Sequence, residues 1–139
     1  MQGYNVIAVF SPDKSRMLMC RRAKDPYKGL INFVGGKIEP NESGEDAAYR
    51  ELYEETGITR SDIGLVHLMD FTYPLDSCYV EVYAGQLVRE VNVGGEENPL
   101  FWSGLEHNFF DPANYAGEGN IGHIMEHIKL NSGRIFRES

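Results

Sequence analysis

Glu51, Glu54 and Glu55, with Arg50 directly before them, form a compact group of side chains able to do chemistry. If the segment is helical, Glu51 and Glu55 are four apart and stack on one face, and Glu54 lies beside them. Three carboxylates in one patch repel one another. Arg50 offsets part of that repulsion and, four residues before Glu54, is placed to pair with it. One reading is a solvated acidic helix face. The other is a site for a hard cation, since Mg²⁺ takes oxygen ligands: one or two carboxylates, several waters and substrate phosphates. Gly35 and Gly36, just ahead of the helix, would let backbone carbonyls and a ligand approach closely.

The elements that must position this group are legible in outline. Ser43 can cap a helix, with Asp46 three residues on completing a capping box. Ala47, Ala48, Leu52 and Tyr53 follow helical apolar spacing, and Gly57 is placed to end the helix in the left-handed conformation. The helix therefore runs from about Ser43 to Thr56. Tyr4 to Phe10, Met17 to Arg22, Leu30 to Val34, Leu65 to Thr72 and Tyr79 to Val88 read as strands, and Phe101-Trp102 begins another. Ser11 to Ser15 is turn chemistry, Asp25 to Gly29 a loop, and Gly94 to Pro99 an acidic loop. Ile121 to Leu130 reads as a final helix. This order predicts an α+β layered domain with a mixed sheet, and the 139 residues fit a single domain spanning 1–139.

A formal net charge of −8 argues against binding nucleic-acid polymers, which calls for a basic surface. It leaves room for a small phosphorylated substrate if divalent metal sits between the anions. The two cysteines, Cys20 and Cys78, have neither metal-ligand spacing nor a disulfide framework and are expected as buried thiols, which suits a reducing cytosol. The N-terminus lacks a signal-peptide profile, and no apolar run approaches the roughly 18 residues of a membrane span. A cytoplasmic protein is expected.

The stretch from Gly36 to Ile58, GKIEPNESGEDAAYRELYEETGI, resembles the signature of the Nudix family. Gly36, Glu42, Arg50, Glu51, Leu52, Glu54, Glu55, Gly57 and Ile58 fill every specified position. At average usage of roughly 5–7% per residue type, a chance match is on the order of 10⁻⁹ per starting position. The resemblance implies a Nudix fold, a mixed β-sheet sandwiched between helices (α/β/α), in which the signature forms a loop–helix–loop. It implies hydrolysis of a nucleoside diphosphate linked to another group, with Mg²⁺ as cofactor and Mn²⁺ able to substitute. Carried onto this chain, Glu51, Glu54 and Glu55 and the carbonyl of Gly35 would bind the metal. Glu51 and Glu54 are catalytic candidates, Arg50 would orient the glutamates by salt bridging, and Glu42 would have a structural role at the helix start. Some members use a further glutamate from a downstream loop. Glu97 fills that place in the metal set, and its neighbour Glu96 is an equal candidate.

The flanks resemble the MutT type, which acts on oxidised purine nucleoside triphosphates. Arg21 or Arg22, ending the second strand, would meet phosphate, and Lys37 would touch a leaving phosphate. Asn32 and Asn120 would read the base, since an asparagine can satisfy a purine edge bidentately. Arg21 or Arg22 also fits simple surface charge, and Asn32 and Asn120 also fit turn or cap roles. Trp102 fits a base stack or core packing. The expected partner is a small nucleotide, acted on by a monomer or homodimer with no membrane involvement.

Rival readings have their own residues. Pro74 stands sixteen residues after Ile58, a spacing associated with ADP-ribose hydrolases of the family, and ADP-ribose ranks second as substrate. A non-catalytic nucleotide sensor would keep the fold, but such proteins often lose signature glutamates, and here all are present. His123-Ile124-Met125-Glu126-His127 matches a zinc-peptidase pattern, yet the chain is short for that class and offers no obvious third ligand.

Overall fold

The computed structural model describes residues 1–94 and 98–137. Strands β1 (Gln2–Phe10) and β2 (Arg16–Arg21) are joined by a turn that Asp13 holds together. Its Oδ1 accepts from the Ser11 and Ser15 hydroxyls at 2.7 Å each and from the Ser15 N–H at 3.0 Å. β1 and β2 are in register only at Phe10 and Met17, beside this turn. The following segment, which carries the two-residue strand β3 (Ile31–Asn32), pairs with both of them. Asn32 faces Cys20 of β2, while Val34 and Lys37 bridge to Ile7 and Tyr4 of β1. The predicted strand Leu30 to Val34 is thus shorter in its ladder and continues as a wedge between two strands.

Helix α1 (Gly44–Thr56) lies within one residue of its predicted bounds because its caps are in the chain. The Ser43 hydroxyl accepts from the Asp46 N–H at 3.1 Å, and Gly57, at φ 82°, closes the end with its N–H on the Tyr53 carbonyl. Asp46 directs its carboxylate to Arg60 at 2.6 Å. Ala47, Ala48, Leu52 and Thr56 are the buried residues. Tyr53, expected in the apolar stripe, is 59% exposed, and Thr56 completes the stripe instead. Thr56 is accommodated by donating its hydroxyl to the Leu52 carbonyl at 2.6 Å.

β4 (Val66–Tyr73) runs into a 3₁₀ turn at Pro74–Asp76 and returns as β5 (Cys78–Gln86). β5 pairs antiparallel with β4 and parallel with β1, from Gln2↔Cys78 to Phe10↔Gln86, so the sheet is mixed. β6 (Leu100–Gly104) pairs antiparallel with β2. Helix α2 (Asn120–Leu130) and the short α3 (Ser132–Ile135) end the described chain.

Period-two alternation divides the core between the two faces of the sheet. Ala8, Phe10, Met17, Met19, Val82 and Ala84 pack with Ile121, Ile124, Met125 and Ile128 of α2. Ile7, Val9, Leu18, Cys20 and Tyr83 pack with Ala48 and Leu52 of α1. The predicted helix-covered mixed sheet is what the chain forms. Among the described residues no helix is long and apolar enough to cross a membrane.

Candidate functional site

Two features meet along the wedge from Asn32 to Lys37. The first is a carboxylate patch on α1. Arg50 is its hub. Its Nε and Nη2 hold both oxygens of Glu42 at 2.9 and 2.5 Å. Its Nη1 reaches Glu51 at 3.0 Å and Glu54 at 3.1 Å, and Nη2 also donates to the Lys37 carbonyl at 3.0 Å. A second Glu42 contact, from the Glu39 N–H at 2.8 Å, locks the turn before the helix. The Arg50 guanidinium holds the Glu42 carboxyl down at about 2, and the Glu42 carboxylate in turn raises Arg50 above its ordinary value.

Glu51 lies against the glycine pair. A Cβ on Gly36 would come within 2.4 Å of the Glu51 carboxylate carbon, so only glycine lets this side chain sit there. Gly35, at φ 152°, is equally constrained, since its Cβ would meet the Asn5 carbonyl oxygen at 2.1 Å. Glu51 and Glu55 are half-buried and Glu54 is exposed. Among the described residues no three His, Cys, Asp or Glu side chains form a ready-made metal cage. The donor set still suits Mg²⁺, which uses few protein carboxylates and leaves room for water and phosphate. Glu96 and Glu97 lie outside the described residues.

The second feature is a cleft of about 490 Å³ on the α2 side of the sheet, lined among others by Tyr27, Asn32, Phe71, Tyr73, Asp76 and Asn120. The structure thus brings Asn32 and Asn120 into one cavity, although they are far apart in sequence. The Asn120 amide nitrogen donates to the Tyr73 hydroxyl, and the Asn32 Oδ1 accepts from the Phe33 N–H at 2.8 Å. Tyr27 and Glu118 bond across the rim at 3.0 Å, each a non-glycine residue in the left-handed region (φ 65° and 55°). Nothing in the sequence singles out Tyr27 or Glu118; their left-handed backbone and their hydrogen bond across the cleft reveal them.

Arg21 donates to the Gly29 carbonyl at 2.8 Å and Arg22 to the Pro26 carbonyl at 2.7 Å, so both tie down the loop that carries Tyr27. Lys37 is exposed at the end of the wedge. Trp102 faces Leu18 across the β2–β6 ladder and packs on the α1-side core, with the Arg16 guanidinium 5.5 Å from its ring centroid. Pro74 opens the 3₁₀ turn. Cys20 is buried, whereas Cys78 is half-buried and lines the cleft. Burial pushes the Cys20 thiol up to about 11, which makes it a packing residue. His123, Glu126 and His127 are exposed on the outer side of α2, with Glu126 on Lys129 at 3.4 Å.

The family model of the NUDIX domain matches residues 1–122. The 8-oxo-dGTP diphosphatase of Escherichia coli is 32% identical over 114 residues, covering 78% of this chain and 87% of that protein. An ADP-ribose pyrophosphatase of Methanocaldococcus jannaschii is 30% identical over 88 residues, 55% of this chain and 52% of that protein. A solved MutT structure, from work on the Aliivibrio salmonicida and Vibrio cholerae proteins, superposes with a TM-score of 0.69 at 27% identity, covering 93% of this chain and 98% of that one. The chain belongs to the Nudix family of pyrophosphohydrolases, enzymes that act on nucleotide derivatives with the help of a divalent metal.

Proposed function

We propose that this enzyme hydrolyses a nucleoside triphosphate carrying an oxidised purine, of the 8-oxo-dGTP kind, to the monophosphate and pyrophosphate with Mg²⁺. The observation that carries the reading is the wedge from Asn32 to Gly36. One end lines a cleft with ample room for a nucleobase and the other touches Glu51, so base and phosphates of one molecule are served by a single backbone segment. The 8-oxo-dGTP diphosphatase of E. coli, similar over most of its length, supports the substrate class.

In this reading Glu51, Glu54, Glu55 and the Gly35 carbonyl hold the metal. When bound, it would neutralise phosphate charge and acidify the attacking water. Arg50 aims Glu51 and Glu54 through its Nη1. Water attacks phosphorus, a carboxylate of this patch takes its proton, and pyrophosphate leaves past Lys37. Positioning and charge, without a covalent intermediate, supply most of the rate. The enzyme acts on free nucleotides in the cytoplasm.

A panel of canonical triphosphates, 8-oxo-dGTP, ADP-ribose and dinucleoside polyphosphates, assayed with Mg²⁺ for phosphate, pyrophosphate and monophosphate, tests this. The expected result is pyrophosphate release with kcat/KM highest for 8-oxo-dGTP. Preference for ADP-ribose would overturn the substrate and favour the reading that the M. jannaschii relative and Pro74 support. Tight nucleotide binding with no product would replace the enzyme by a sensor.

A further inference from the structure

We infer that Asn5 is a positioning residue that aims the Gly35 carbonyl, an inference that rests on the metal reading above. Asn5 lies in β1 with the same strand phase as Ile7 and Val9, whose side chains face α1, and it is 2% exposed. It grips the glycine pair twice. Its backbone N–H donates to the Gly36 carbonyl at 2.8 Å, and its side-chain Oδ1 accepts from the Gly36 N–H at 2.9 Å.

That second bond carries the argument. The Gly36 N–H and the Gly35 C=O belong to one planar trans peptide, so they point in opposite directions. Pinning the N–H on Asn5 turns the Gly35 oxygen the opposite way within that plane, away from the Asn5 side chain. The neighbouring ladder cannot do this. The backbone oxygen of Asn5 lies so close to Gly35 that a Cβ there would approach within 2.1 Å, and the acceptor Gly36 uses is the side-chain oxygen. The other end of the amide supports the same view. Asn5 Nδ2 is buried with no hydrogen-bond partner among the described residues. An unmet buried donor is costly. A leucine of similar size would avoid it, and what asparagine adds at this position is Oδ1.

The test is Mn²⁺ affinity without substrate, read by electron paramagnetic resonance, for wild type, Asn5→Leu and Asn5→Asp. Leucine removes the acceptor and is expected to weaken Mn²⁺ binding about tenfold, the scale of lost outer-shell support. Aspartate keeps an oxygen toward Gly36 and is expected to stay within about threefold of wild type, even with a lower melting temperature. Wild-type-like binding by Asn5→Leu, or an equal loss in both variants, would overturn the inference while leaving the metal reading intact. A wild-type chain that binds no Mn²⁺ overturns both. Should Asn5→Leu not fold, the wild type still decides. On Mg²⁺ addition the Gly36 amide and Asn5 side-chain amide resonances should shift together with those around Glu51. Shifts around Glu51 alone would sink the assignment.

Discussion

Arg50 grips Glu42 with one edge of its guanidinium, Nε to Oε2 at 2.9 Å and Nη2 to Oε1 at 2.5 Å, and this leaves Nη1 for Glu51 and Glu54. The bidentate pair fixes the arginine plane, which then fixes two glutamates that would otherwise repel each other. Glu42 is therefore a support for the site at one remove.

A pH dependence follows from that pair. Glu42 is held at about 2, below its ordinary 4.5. A carboxyl depressed on folding stabilises the native state fully above its unfolded value, and the contribution is lost as pH falls through the folded one. The melting-temperature advantage of wild type over Glu42→Gln, measured in EDTA, should be full above about pH 5 and shrink steadily toward pH 2. A constant difference across that window would show that ionisation of Glu42 contributes nothing.

Glu54→Gln should fold normally, because the 56% exposed side chain keeps an amide oxygen for Arg50. Its turnover should nevertheless fall by at least about 100-fold, the scale of a metal or acid–base group. Near-wild-type kcat with Mg²⁺ would remove Glu54 from the site.

Much of this arrangement was legible because its causes are local. Ser43 and Gly57 announce the helix ends, and the unbroken apolar run Val6–Phe10 announces a strand. What was not legible depends on partners far away in sequence. Arg21 and Arg22 carry nothing local that names the Gly29 and Pro26 carbonyls as their acceptors, since a guanidinium fits phosphate and peptide carbonyl alike. Tyr27 meets Glu118 across 91 residues. Asn5 did leave a trace, a lone polar residue in the inward phase of an apolar strand, but nothing local says which backbone it serves.

The helix that carries the glutamates depends on its cap. Ser43→Ala deletes the acceptor for the Asp46 N–H and should cost about 1 kcal/mol, or roughly 3–5 °C in melting temperature. Calorimetry showing no change would mean that Glu42 and Arg50, rather than the serine, hold the helix start.

Specificity should reside in which end of each amide faces the cleft. The Asn120 nitrogen is engaged by Tyr73, so in the proposed reading Oδ1 would face the base and call for a donor. The Asn32 oxygen is engaged by Phe33, so Nδ2 calls for an acceptor. Guanine offers two acceptors along its N7/O6 edge, whereas 8-oxoguanine carries a proton on N7 and offers one donor and one acceptor. Tyr73→Phe would free the Asn120 amide to turn over and accommodate either edge. The expected result is a fall of about 3- to 10-fold in the kcat/KM ratio of 8-oxo-dGTP to dGTP, the worth of one neutral hydrogen bond, with little change in kcat. Asn120→Ala should lose a similar amount. If both variants kept the wild-type ratio, base discrimination would have to come from elsewhere in the cleft, with Asp76 the next carboxylate to test.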